Sequence, residues 1–253
     1  MNILEKILNV KRQEIQKIKD LEFGEMAGQN RSLKDAISKP GISVIAEIKM
    51  KSPSEGEIFP YANPAQIAKG YESAGAAAIS VLTDQSFFGG SLDILKAVRD
   101  TVSIPVIRKD FIIDQKQISE TIHYNGDAFL LIADALDQDS LQQLMNIGEM
   151  AGLEFLVEYH AEKHAEFIFG LNPEIVGINC RNLKTMATDI TYFEKMISSL
   201  PSNSVKVAES GIHTSDDLEY VSDLGYDAAL IGTSLMKTGN PEKALETLLG
   251  EIS

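Results

Sequence analysis

A single cysteine, Cys180, is the only thiol in this 253-residue chain. No intramolecular disulfide framework is possible, and the count fits a reducing compartment. Basic residues are scarce too: 23 Lys and Arg stand against 37 Asp and Glu, a formal charge of −14. That acidic excess favours solubility and argues against nucleic acid or an anionic membrane as a partner. No apolar run approaches the ~20 residues needed to cross a bilayer. The opening MNILEKILNVKRQEI is charged every few residues, unlike a signal peptide. A cytoplasmic protein is expected. No GxGxxG follows the first strand-like run and no GxxxxGK[ST] occurs, which weakens dinucleotide-fold and P-loop readings. No linker or low-complexity tract divides the chain.

What is present is an alternation. Short apolar, β-rich runs occupy 43–48, 77–82, 105–108, 127–132, 154–158, 175–179, 205–208 and 228–231. Continuous apolar character in runs this short suits parallel strands buried on both faces. Segments of helical period lie between them at 64–74, 92–102, 115–124, 140–151 and 216–224, and another closes the chain at 241–252. Gly75, Gly126, Gly152 and Gly225 each follow a helical segment, where a left-handed residue is expected. Eight strand–helix units over about 250 residues predict a single α/β domain, a (β/α)8 TIM barrel. Residues 1–40 form an N-terminal helical extension whose Ile3, Ile7, Leu8 and Ile15 make an apolar stripe covering one end of the barrel, either as an extra packing helix or, with the loop after it, as a roof over the substrate site.

Catalytic groups of such barrels sit where strands end. The strand exits carry Glu47, Lys49, Lys109, Glu158, Asn179, Arg181, Glu209 and Ser210. Charges inside apolar runs are costly unless paired or open to a solvated mouth, and here they gather at one end. Glu47 and Lys49, like Asn179 and Arg181, are two apart and project to the same face. Buried ion pairing explains Glu47 or Glu209 taken singly, but not the whole set. Two turns, SGIHTSDD (210–217) and IGTSLMK (231–237), follow the last two strands, where barrels often bind phosphate. Gly211 and Gly232 permit close backbone approach, and Thr233 and Ser234 add hydroxyls. Thr214 or Ser215 is read as an ordinary helix cap.

His160 and His164 are four apart, but Ala161 stands where a zincin needs Glu, so AEKHAE is read as a solvated helix face and no metal is expected. Cys180 lies between two mouth-facing positions and is read as turned away and inert. Gly89–Ser91 is a turn into the next helix. Phe87 and Phe88 are either core or a platform for an aromatic ring.

Taken together, VIAEIKMKSPS (44–54), SVLTDQSFFGGS (80–91), PVIRKDFIID (105–114), FLLIADAL (129–136), FLVEYH (155–160), GINCRNLKT (177–185), VAESGI (207–212) and LIGTSLMK (230–237) resemble the indole-3-glycerol phosphate synthases, in family order across the chain. The resemblance implies that 1-(2-carboxyphenylamino)-1-deoxyribulose 5-phosphate is the substrate, a phosphorylated small molecule, converted to indole-3-glycerol phosphate in tryptophan biosynthesis. It implies Lys109 as general acid for ring closure and Lys49 as the lysine holding the substrate carboxylate. Glu158 becomes a proton-handling carboxylate with Glu47 beside Lys49; which group serves dehydration is left open. Asn179, Ser210 and Glu209 match polar residues near the anilino-sugar, and Arg181 the arginine of GIN-x-R. Ser52, Gly211, Gly232 and Thr233 match phosphate contacts; Ile231 belongs to the same turn. Phe88, Phe111, Leu130 and Leu183 match apolar walls. Met50 and Cys180 depart from the family's usual residues without replacing catalytic ones. No metal or organic cofactor, and a monofunctional monomer or weak homo-oligomer, are expected. Phosphoribosylanthranilate isomerase, a neighbouring barrel, is disfavoured because the first strand exit carries Glu47 and Lys49 rather than cysteine.

Overall fold

The structure, a computed structural model, describes residues 2–19, 30–60, 62–182 and 185–250. Each apolar run becomes a strand: β1 Ser43–Ile48, β2 Ala78–Leu82, β3 Val106–Lys109, β4 Ala128–Ile132, β5 Glu154–Tyr159, β6 Ile175–Asn179, β7 Val205–Glu209 and β8 Ala228–Ile231. All neighbours pair in parallel, and β8 pairs β1, so the sheet closes into a barrel. A hydrogen-bonded parallel strand must be joined by a crossover, which explains the helices between strands. The apolar runs end one residue before β3, β5 and β7 do; β3 and β7 each close on a charged residue, Lys109 or Glu209. Those side chains belong to the strands and face the mouth.

Two apolar layers explain why the strands read as unbroken. Outward-facing Ile79, Val81, Phe129, Leu131, Val157 and Ile178 pack with Tyr71, Leu95, Ile118 and Phe193 of the surrounding shell. Inward-facing Ile45, Ile107, Leu130, Leu156 and Val207 form a separate cluster within the barrel. The shell contains α3 (Pro64–Ser73), α4 (Gln85–Phe88), α5 (Leu92–Arg99), α6 (Gln115–His123), α7 (Gln138–Met150), α8 (Ala165–Leu171), α9 (Tyr192–Met196), α10 (Ser215–Asp223), α11 (Thr233–Met236) and α12 (Pro241–Gly250). Helices α8 and α9 are too short to give a readable period. Of the four glycines expected to end helices in the left-handed region, Gly75, Gly152 and Gly225 do so. After α6 that position is taken by Asn125, at φ 58°. Gly126 is required for space instead, since a Cβ there would lie 2.8 Å from Thr121 Cγ2.

The N-terminal region serves both ends of the barrel. Helix α2 (Leu33–Ile37) plugs the N-terminal end, with Leu33 and Ile37 fully buried in the inner cluster. Glu154, the first residue of β5, accepts from Ser32 Oγ at 2.7 Å and from the Lys34 amide at 2.8 Å, which fixes the plug. Helix α1 (Ile3–Ile15), begun by an Asn2–Glu5 capping box, covers the opposite end. Its buried side chains include Lys11, whose ammonium lies 3.0 Å from Asp84 and 2.9 Å from Asp110. Burial alone would drive this ammonium toward neutrality, but Asp110 and Asp84 more than offset it and raise its pKa. Replacing one partner of a buried pair leaves charge uncompensated. Lys11→Met is therefore expected to cost about 3–5 kcal/mol in urea-denaturation stability; a loss under about 1 kcal/mol would contradict this role for the ion cluster.

Candidate active site

Alternation along each strand sends one set of side chains into the mouth, and the exits of β1, β3, β5, β6 and β7 supply the charged ones. Glu47, Lys49, Ser52, Phe88, Lys109, Phe111, Leu130, Glu158, Asn179, Arg181, Glu209, Ser210, Gly211, Ile231, Gly232 and Thr233 all line one cavity there. Together with its open rim the cavity holds about 1200 Å³. Of the expected site residues, Leu183 lies outside the described ones.

Lys109 occupies the centre. Its ammonium donates to Glu158 Oε2 and to Glu209 Oε2, both at 2.8 Å, from strands well separated along the chain. Burial opposes that charge, but Glu158, Glu209 and Glu47 outweigh it and raise the pKa, so Lys109 stays protonated. Glu158 is further held by Asn179 Nδ2, which donates to its Oε1 at 2.9 Å. Burial resists its ionisation, yet Lys109 and then His160 overcome this and hold the carboxyl well below its usual range. Glu209 fares differently. Its Oε1 is buried without a hydrogen-bond partner, in the space a Cβ at Gly177 would fill. Burial, reinforced by the charge on Glu158, pushes Glu209 up to about 8. The pKa values of the two adjacent carboxyls are thus pushed in opposite directions, Glu158 down and Glu209 up.

This separation has a testable sign. Glu209 folds with a raised pKa, so in the window between the ordinary carboxylate value and about 8 the native state binds a proton that the unfolded chain lacks. Its contribution is most favourable below that window and is lost as pH rises through it. The melting temperature of the native protein should fall from pH 6 to pH 9 more steeply than that of Glu209→Gln, whose amide cannot ionise. Parallel curves would refute the raised value.

Lys49 forms the second ionic centre, 2.6 Å from Glu47 Oε1. Room for that carboxylate comes from β8: a Cβ at Gly232 would lie 2.5 Å from Glu47 Oε1. Gly232, expected to permit close backbone approach to a ligand, also accommodates Glu47 through its missing side chain. Arg181 folds the loop after β6 back on itself, donating to the Met186 carbonyl at 2.9 Å and bridging to Thr188.

Opposite these groups lie the turns after β7 and β8. Ser210 and Gly211 both adopt left-handed backbone, φ 70° and 74°. Ser234 ties the two turns together by donating to the Ile212 carbonyl at 3.1 Å. The first amides of α11 have no intrahelical acceptor, which leaves donors free to meet an anion. Thr214 is a helix cap, as expected, accepting from the Asp217 amide at 3.2 Å. Across the cavity, Asp84 caps α4 and accepts from the Phe87 and Phe88 amides at 2.7 and 3.2 Å. That bond sets the Phe88 ring 6.1 Å from Phe111, at 34°, as one aromatic wall. Cys180 is turned from the cavity and donates to the Ser210 carbonyl at 3.3 Å; burial raises its pKa to about 11.

Ile3, Leu4 and Ile7 of α1 line the cavity, so of its two readings, packing helix and roof, the N-terminal helix serves as both. Sequence reasoning missed two contributors. Asp110 anchors α1 beside Lys109. His160, weighed in the sequence only as a metal ligand, lines the cavity with its Nε2 3.3 Å from Glu158 Oε1. Its signal was available, because it lies two residues after Glu158 on the same alternating face.

Comparison with known proteins gives a consistent answer. The family model for indole-3-glycerol phosphate synthase matches residues 4–248. A protein of that name from Geobacillus sp. (strain WCH70) is 44% identical over 253 residues, covering 99% of this chain and 98% of its own. One from Halalkalibacterium halodurans is 42% identical over 251 residues, covering 98% and 97%. Among solved structures, a thiamine phosphate pyrophosphorylase from Pyrococcus furiosus superposes with a TM-score of 0.62 over 87% of this chain and 96% of its own. At 14% identity it shares the fold alone.

Proposed function

The chain belongs to the indole-3-glycerol phosphate synthase family, and from that premise we propose how the residues at the barrel rim divide its work. The enzyme is a carboxy-lyase of tryptophan biosynthesis that acts on a phosphorylated small molecule. It closes the ring of 1-(2-carboxyphenylamino)-1-deoxyribulose 5-phosphate to give indole-3-glycerol phosphate, CO2 and water.

Ring closure joins the ring carbon bearing the carboxylate to the sugar ketone carbon. The carbonyl π electrons move to oxygen, which must take up a proton. Lys109 supplies it, as a charged acid held between two carboxyls at 2.8 Å. Lys49, drawn to the rim by Glu47, meets the substrate carboxylate. The bond to that carboxylate then breaks, CO2 departs, and its electron pair restores aromaticity. In the dehydration, Glu158 removes the proton from the neighbouring sugar carbon while the new hydroxyl leaves as water, taking a proton from a rim lysine. Asn179 orients Glu158 throughout, and Ser210 faces the sugar.

The turns containing Gly211, Gly232 and Thr233, with Ser52 across the mouth, hold the phosphate through backbone amides and hydroxyls. Phe88, Phe111, Leu130 and Ile231 enclose the aromatic ring. Arg181 acts by fixing the loop after β6. The observation that carries this reading is Lys109 shared between Glu158 and Glu209 at the barrel centre. Supplying the anilino-deoxyribulose phosphate should produce indole fluorescence and one CO2 per indole formed. Absence of both from folded protein would reject the reading.

A further inference from the structure

We propose that His160 is a positioning residue for Glu158: gripped by Asp134, it sets its imidazole Nε2 against the carboxylate oxygen that Lys109 does not use. The proposal rests on the reading of Glu158 as the base. His160 follows β5 directly, and its ring lies between two carboxylates. Nδ1 is 3.3 Å from Asp134 Oδ2, and Nε2 is 3.3 Å from Glu158 Oε1. Nδ1 is hydrogen-bonded to Asp134, while Nε2 faces Glu158 Oε1, the oxygen that also accepts from Asn179 Nδ2. Asp134 also accepts the His160 backbone N–H at 2.7 Å, and the Tyr192 hydroxyl donates to the His160 carbonyl at 2.8 Å. The residue is therefore pinned through backbone and ring alike. Asp134 keeps its charge despite burial because His160 bonds to it, and His164, 3.4 Å from its other oxygen, adds to this. Burial drives His164 itself toward neutrality, with Lys163 contributing in the same direction.

The result is a row, Lys109, Glu158, His160 and Asp134, leading from the barrel centre to the rim. Its use follows from the reaction. When Lys109 gives its proton to the ketone oxygen, Glu158 loses its principal counter-charge. A buried carboxylate without a cation claims a proton and ceases to be a base. His160, set against the opposite oxygen, is another neighbour that holds the Glu158 pKa down, so Glu158 stays ionised until dehydration requires it.

The test compares kcat and KM across about pH 5–9 for the native enzyme, His160→Gln and Asp134→Asn. Glutamine keeps an N–H donor but no charge. His160→Gln should shift the acid limb of kcat upward by about one pH unit, because Glu158 becomes easier to protonate. At pH 6 kcat should fall about ten-fold, with the deficit shrinking toward pH 9 and KM changing less than about two-fold. Asp134→Asn should move the limb in the same direction by less, since it frees the ring without removing it. A native profile in both variants, or a loss of kcat equal at every pH, would overturn the proposal. Inactive Glu158→Gln beside an unchanged His160→Gln profile would refute this role alone, whereas active Glu158→Gln would remove the reading beneath it.

Discussion

Lys109→Ala is expected to lower kcat by about 10²- to 10⁴-fold, the range for loss of a positioned acid. The magnitude follows from the site. Lys109 is the ammonium held at 2.8 Å by carboxyls from β5 and β7, and Lys49 is occupied at the rim by Glu47, 2.6 Å away. Substrate binding should suffer less, because the phosphate turns and the aromatic wall are untouched. The variant should also report on its own electrostatics. Without the ammonium, Glu158 and Glu209 face each other as buried acids, and both pKa values rise. Groups with raised folded values keep their stability at low pH and lose it as pH climbs. The variant's melting point should therefore approach that of the native enzyme near pH 5 and fall away from it near pH 8. Near-normal turnover would take Lys109 out of the chemistry.

Glu158→Gln is expected to reduce kcat by about 10²- to 10³-fold while KM stays within a few-fold. The amide has the shape of the carboxylate and still accepts from Lys109, but it cannot take a proton from carbon. A split in which KM rises and kcat survives would make Glu158 a binding residue. The two variants differ in one further respect. Lys109→Ala should block ring closure, so no CO2 is released, whereas Glu158→Gln acts later and should release CO2 before indole appears in single-turnover measurements.

Much of this was legible in the sequence because the barrel imposes two independent regularities. Strands buried on both faces produce the apolar runs, and the need for solvated charges at the mouth places Glu47, Lys109, Glu158 and Glu209 at their ends. Glu47 with Lys49, and Asn179 with Arg181, followed from period two alone. Other features depend on contacts between distant segments, which periodicity does not encode. Lys11 resembles any surface lysine of an amphipathic helix until Asp84 and Asp110 are brought to it. The opposite behaviour of Glu158 and Glu209 arises from Asn179, His160 and an unpartnered oxygen beside Gly177. His160 was misplaced for a different reason. It was weighed only as a metal ligand paired with His164, although the strand alternation that carries Glu158 continues to position 160, and α8 starts only at Ala165.

The central claim is that one rim holds the acid, the base and the phosphate turns in register for a single substrate. A crystal structure with indole-3-glycerol phosphate bound tests it most directly. The phosphate should lie on the amides of Gly211, Gly232 and Thr233, with the indole against Phe88 and Phe111 and its reacting edge toward Lys109 and Glu158. Product bound with its phosphate elsewhere, or with its ring turned from those two side chains, would contradict the account.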